Sequence, residues 1–256
     1  MPLLEISGLT HRFAGLCAVS DCNFSIEPQE LVGIIGPNGA GKTTIFNLIT
    51  GVYHASEGSI KLNGRELVGL TPNAITRLGI ARTFQNIRLF KELSVLDNVR
   101  IAYYGQIAYT PAEALLHIGR FRAEERRITN LALDLLAVFK LDEAADEKAK
   151  NLPYGLQRRL EIARALATNP RLLLLDEPAA GMNPNEIIQM MDFIRWIRRT
   201  FSVTIILIEH QMRLVMGICE RLIVLDFGAT IAAGLPAEIQ SNPKVLEAYL
   251  GEEVVL

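Results

Sequence analysis

The run Leu31-Val32-Gly33-Ile34-Ile35-Gly36-Pro37-Asn38-Gly39-Ala40-Gly41-Lys42-Thr43-Thr44 passes from an apolar stretch through a glycine-rich turn into a second apolar segment, residues 45–49. Its spacing matches the strand–loop–helix pattern G-x-x-x-x-G-K-T, which binds phosphate. The glycines let successive backbone N–H groups turn inward around phosphate oxygens, and the helix start adds its positive dipole end at the same place. Gly36, Pro37, Asn38, Gly39, Ala40, Gly41, Lys42, Thr43 and Thr44 are therefore the expected phosphate-binding residues, the ATP-binding set if the phosphates belong to that nucleotide. Lys42 is expected to reach the β and γ phosphates and Thr43 to offer its hydroxyl to Mg²⁺.

Outward from this loop, Leu172-Leu173-Leu174-Leu175-Asp176-Glu177 delivers two carboxylates at the end of an apolar run. Ligands bind at the carboxyl ends of strands in open α/β sheets. Asp176 is expected to hold the metal through water, and Glu177 to orient or deprotonate the attacking water. Short apolar runs at 31–35, 172–175, 203–208 and 222–225 alternate with helical spacing at 43–50, 156–167, 186–199 and 212–219. That alternation predicts a parallel α/β sheet covered on both faces. Residues 4–7 and 24–26 read as short pieces of an antiparallel edge subdomain. From about Ser94 to Asn151 the chain is helix-rich, with Thr110-Pro111 breaking it and able to start a new helix. The expected organisation is one domain over 1–256: an α/β core with an antiparallel β part over 1–93 and 159–256, and an inserted helical subdomain over 94–158.

The 256 residues are 50% hydrophobic and 21% charged, ordinary globular values. With 26 Lys+Arg against 28 Asp+Glu, the net charge of -2 provides no global field for phosphate backbones, so no nucleic-acid partner is expected. Cys17, Cys22 and Cys219 lack the paired short spacings of a zinc site and suit a reducing compartment. No basic leader followed by a long apolar run opens the chain, and no apolar run is long enough to span a bilayer, so any membrane role is expected through partners. The charged stretch Arg120 to Arg127 reads most simply as a solvated helix face, with partner docking as the alternative.

Together these motifs resemble the nucleotide-binding subunit of ATP-binding cassette (ABC) transporters. Gln85 in Arg82-Thr83-Phe84-Gln85-Asn86 is similar to the family's Q-loop glutamine, and His210 in Ile208-Glu209-His210 to its switch histidine. Ala180, Gly181, Met182 and Asn183 resemble its dimer-contacting D-loop, and Phe13 stands where the family places an aromatic that stacks on adenine. The resemblance implies catalytic roles for Glu177, His210, Lys42 and Gln85, and a metal set of Thr43, Gln85 and Asp176 with Mg²⁺. It covers essentially the whole chain in family order.

One motif departs from the family. Where the signature is Leu-Ser-Gly-Gly-Gln, this chain has Leu152, Pro153, Tyr154, Gly155 and Leu156. The signature serves the ATP held by the opposite subunit, and Pro153 has neither hydroxyl nor N–H to offer. The expectation is a competent ATP site of its own and a weakened composite site in its partner. Tyr154 with Gly155, the run Gln157 to Arg164, Asp176 to Gly181, the ending Ala248-Tyr249-Leu250-Gly251 and the insertion around 105–130 are similar to the branched-chain amino acid importer branch. That resemblance implies a second, different ABC ATPase chain, two membrane permease subunits, an extracytoplasmic solute-binding protein acting indirectly, and a place on the cytoplasmic face of the inner membrane. Residues 86–90 are expected to meet the permease, with Leu89 and Phe90 either contacts or core. Importers of urea or short amides, lipopolysaccharide export and a non-transport cassette ATPase are the alternative readings.

Overall fold

The computed structural model describes residues 1–107 and 109–250, so Gly251 lies outside the described residues. The chain divides into two compact units, Met1–Gln85 with Arg171–Leu256, and Asn86–Pro170.

The first unit opens with Leu4–Phe13 (β1), Leu16–Ile26 (β2), Leu31–Ile35 (β3), Lys42–Ile49 (α1), Glu57–Leu62 (β4), Arg65–Glu66 (β5), Pro72–Arg77 (α2) and Ile80–Arg82 (β6). Strands β2-β1-β4-β5 form an antiparallel sheet. Its strands are longer than the short pieces the sequence suggests. The register slips between Ile6 and Leu9, where Gly8 takes a φ of 58° and gives its N–H to Asn23 Oδ1. Such a bulge adds a residue and breaks the period-two alternation without ending the strand.

The second unit holds Val95–Tyr103 (α3), Pro111–Leu116 (α4), Phe121–Val138 (α5) and Tyr154–Leu166 (α6). It is wider than the 94–158 expected, because α6 runs unbroken past 158 and a border there would cut one helix in two. Thr110 starts α4 through a capping box with Glu113. Helix α5 buries Ile128, Ala132, Leu135 and Leu136. Asn98 on α3 is fully buried, because its amide accepts from the Phe90 N–H and donates to the Phe90 and Ser94 carbonyls. That clamp separates the two candidate contact residues: Leu89 is core, while Phe90 is 48% exposed.

The chain then completes the first unit with Leu172–Asp176 (β7), Pro184–Phe201 (α7), Thr204–Ile208 (β8), Met212–Ile218 (α8), Arg221–Asp226 (β9), Ala229–Gly234 (β10), Pro236–Gln240 (α9) and Pro243–Leu250 (α10). The main sheet has the order β10-β9-β3-β8-β7-β6, parallel except for the β9–β10 pair. One set of alternate residues, Val32, Ile34, Leu172, Leu174, Ile206, Ile208, Ile223 and Leu225, joins the core that includes Ile45, Phe46 and Ile49 of α1 and Leu4 and Ile6 of β1. On the other face, a methyl group at Gly33 would strike the side chains of Leu222, Cys219 and Val215. Burial on both faces is why these strands read as continuous apolar runs. Among the described residues no helix is long and apolar enough to cross a membrane.

Candidate functional site

Parallel pairing decides where the chemistry gathers. Ile34 of β3 and Asp176 of β7 both pair with Ile208 of β8, and Arg82 of β6 pairs with Leu174 of β7. The segments following β3, β6, β7 and β8 therefore leave the sheet at one edge: the glycine-rich loop, the stretch to Gln85, Glu177, and Glu209 with His210.

The loop leaves β3 through Gly36 at a φ of 148°, where a Cβ would sit 2.0 Å from the Leu225 carbonyl oxygen. It enters α1 through Gly41 in the left-handed region, at a φ of 94°, with the Ala18 carbonyl 2.5 Å from any added Cβ. No side chain caps α1 and its first turn holds no acid. That leaves an uncompensated positive helix end of the kind that binds phosphate. The Lys42 ammonium is buried and donates to the Gly36 and Pro37 carbonyls at 2.7 Å each, lying across the loop. Asn38, Gly39, Ala40, Gly41, Lys42, Thr43 and Thr44 line a cavity of about 210 Å³ together with Ala18, Glu177 and His210.

Glu177 is the hinge of the arrangement. It leaves β7 at a φ of 45°, a conformation unfavourable for a side-chain-bearing residue, and its N–H is tied to the Ile208 carbonyl of β8 at 2.9 Å. Its Oε2 accepts from Gln85 Nε2 at 2.6 Å, and its Oε1 lies 2.9 Å from His210 Nε2. One carboxylate thus joins the ends of β6, β7 and β8 at the cavity wall.

Asp176 is placed differently. It is buried, and its Oδ2 is paired with Arg82 at 2.7 Å; Arg82 also donates to Asn47 of α1 at 2.7 Å. Of the metal set, Thr43 lines the cavity, Gln85 reaches it through Glu177, and Asp176 meets Arg82. Among the described residues no three His, Cys, Asp or Glu side chains form a metal cage. This donor set suits a hard cation that takes most of its ligands from phosphate and water, as Mg²⁺ does.

Phe13 is 41% exposed at the end of β1 and makes edge contacts with His11 and Tyr53, with ring centroids 4.4 and 5.2 Å away; it does not line the phosphate cavity. Asn183 has its side chain engaged as the N-cap of α7, accepting from the Asn185 and Glu186 N–H groups. In the other unit, Pro153 is the N-cap of α6 with no side-chain cap, and its carbonyl accepts from Leu156 and Gln157 N–H. A Cβ at Gly155 would meet nothing within 4 Å, so its own unit does not demand glycine there.

Two residues escaped the sequence reading. Arg82 is one. Glu209 is the other: it is 2% exposed and accepts from the N–H groups of Ala179, His210 and Gln211. Burial pushes its carboxyl above the ordinary range against those three donors, with the Glu177 charge adding to the rise. The available signal was a charged residue at the end of an apolar strand, next to His210.

The sequence profile of the ABC transporter family matches residues 19–180, and that of the branched-chain amino acid ATP-binding cassette transporters matches residues 229–255. The chain is 47% identical to the high-affinity branched-chain amino acid transport ATP-binding protein BraF of Pseudomonas aeruginosa, over 98% of both chains. It is 46% identical to LivG of Escherichia coli, which carries the same description, again over 98% of each. Among solved structures, an ATP-binding cassette of an ABC transporter in its ADP conformation superposes with a TM-score of 0.84 at 30% identity, covering 98% of this chain and 99% of that one. With a glycine-rich loop after β3, a carboxylate after β7 and a histidine after β8 at one sheet edge, the chain belongs to the ABC transporter family as one of its ATP-binding proteins.

Proposed function

We propose that this chain is the ATP-hydrolysing subunit of an importer for branched-chain amino acids, paired with a second cassette ATPase on two membrane permease subunits that an extracytoplasmic binding protein supplies. The solute reading rests on the identity to BraF and LivG over nearly full length. The chemistry rests on one observation, the placement of Glu177 and His210 on the wall of the phosphate-loop cavity.

In this reading the N–H groups of the loop and of the α1 start hold the β and γ phosphates, and Lys42 swings from the Gly36 and Pro37 carbonyls to meet them. Thr43, Gln85 and Asp176 would hold Mg²⁺, which when bound would supply neutralisation of phosphate charge. Glu177 exchanges its His210 contact for the attacking water, orients it and accepts its proton. His210, freed on that exchange, donates toward the charge that develops on the γ-phosphate. Phe13 stacks on adenine from the open end of β1. Ala180 to Asn183, and Leu152 to Leu156 at the α6 start, face the second cassette, so that ATP binding closes the pair and hydrolysis releases it.

Assembly of this chain with its partner cassette and permeases in vesicles tests the reading directly. ATP should drive accumulation of labelled leucine, and Lys42→Ala should abolish both nucleotide binding and uptake. ATP turnover without leucine uptake would overturn the solute, and unchanged nucleotide binding by Lys42→Ala would overturn the site.

The Pro153 departure carries its own prediction. A transition-state donor of this kind is worth about 100- to 1000-fold in rate where it is essential. Pro153→Ser should therefore raise turnover and ATP affinity at the composite site of the assembled pair. As α6 has no side-chain cap, the serine should also add about 1 kcal/mol to the stability of the helix start, less the advantage Pro gains from its φ of -54°. Turnover and affinity equal to the parent would remove the idea of a weakened site.

A further inference from the structure

The stretch running from α4 into the first half of α5 leaves apolar side chains in solvent, with Leu115 80%, Leu116 62% and Ile118 56% exposed. Helix α4 ends with His117 in the left-handed region at a φ of 52° and the Ile118 N–H returned to the Glu113 carbonyl at 3.2 Å. In such a terminus the residue after the left-handed turn commonly packs back on the helix. Ile118 instead stays outside.

The charges of this stretch are sorted by sign. Glu113 is engaged by the N–H groups of Thr110 and Arg120, Glu124 pairs with Arg127 at 2.6 Å, and Glu125 accepts from Arg100, Tyr104 and Tyr109. All three carboxylates therefore have local partners. Arg122 and Arg126 are exposed and, among the described residues, have no acidic partner. They stand four residues apart on one face of α5, in the turns before Ile128, Ala132, Leu135 and Leu136, which it buries. A solvated helix face accounts for the arginines but not for three exposed apolar neighbours.

We propose that α4 and the first half of α5 form a docking surface for an anionic lipid membrane, with Leu115, Leu116 and Ile118 entering the headgroup boundary and Arg122 and Arg126 meeting lipid phosphates. Exposed apolar and cationic groups within one short stretch of chain match the two attractions that hold interfacial segments, burial below the headgroups and the negative surface potential. The net charge of -2 means that this attraction is local to the patch. Contact with lipid here would add to the attachment through permeases in the transport reading and would orient the helical unit beside the bilayer.

Sedimentation of the full chain with phosphatidylcholine vesicles, with and without about one third phosphatidylglycerol, tests this. The wild type should partition onto the anionic vesicles at least about fivefold more than onto neutral ones, and added salt should weaken the preference. Arg122→Glu with Arg126→Glu should erase the preference, and Leu115→Ser with Leu116→Ser should lower binding to anionic vesicles about tenfold. Nucleotide binding should be unchanged in both pairs, which separates this result from failure of the ATP site. A wild type with no anionic preference, or variants that bind as the wild type does, would overturn the proposal. So would loss of binding by these variants only to neutral vesicles carrying the permease pair, since the surface would then dock protein.

Discussion

Glu177→Gln is expected to lower ATP turnover of the assembled transporter by about 10²- to 10⁴-fold while leaving ATP binding near the wild-type level. The substitution keeps the size and shape of the side chain and removes its ability to accept a proton. At this position the parent carboxylate accepts from Gln85 on one oxygen and faces His210 Nε2 on the other. A glutamine has one acceptor oxygen and one NH₂ group, so one of those contacts loses its match. Gln85 restores it by turning its amide to present oxygen, or His210 by changing tautomer. The local structure therefore has a low-cost way to absorb the change, and the loss should fall on chemistry. Lys42 and the loop N–H groups, which would hold the nucleotide, are untouched. Phosphate release under saturating ATP, measured beside nucleotide affinity, separates the two effects. Turnover within a few-fold of the parent would show that another group takes the proton.

Residues contiguous in sequence were the readable part of this site. The phosphate loop is a single run whose glycines, lysine and threonine carry their meaning in their spacing, and Asp176-Glu177 follows a strand recognisable from its leucines. Partnerships made across the sheet carried no such signal. Arg82 meets Asp176 from 94 positions away, and Glu209 caps Ala179 from 30 positions away, through strands brought side by side by the order β8-β7-β6. Strand β6 itself is only three residues long, too short for any period to show. Strand β1 was underestimated for the opposite reason, since the bulge at Gly8 breaks its alternation while the ladder continues. The boundary of the helical unit follows the same logic: composition changes at Ser94, but the Asn98 clamp on Phe90 and the length of α6 extend the packing beyond both expected limits.

Glu161→Ala is expected to destabilise the helical unit by about 3–5 kcal/mol, a large effect for a residue outside the nucleotide cavity. Arg158 and Glu161 lie one turn apart on α6, paired at 2.7 Å with side chains 0% and 1% exposed. A charge in such a place is tolerable only while its partner remains, because burial penalises each ion by more than exposure ever would. Glu161 also holds a neighbouring segment, since its Oε1 accepts the Arg88 N–H at 3.1 Å while Arg164 donates to the Arg88 carbonyl. The same helix begins at Tyr154, whose hydroxyl lies 3.4 Å from Arg158. Removing the carboxylate therefore takes the ion-pair partner from a buried guanidinium and the acceptor from the Arg88 N–H in the segment that follows Gln85. The pair as a unit is a different matter. Replacing both by Leu removes the buried charge together with its ion-pair partner, so Arg158→Leu with Glu161→Leu should recover more than half of the loss in urea unfolding. The Arg88 N–H would still lack its acceptor, which keeps the recovery incomplete. If the double variant recovered stability but ATP turnover in the assembled transporter stayed low, the pair would be holding residues 86–90 in register with the start of α6. If turnover returned together with stability, the pair would serve the packing of this unit alone.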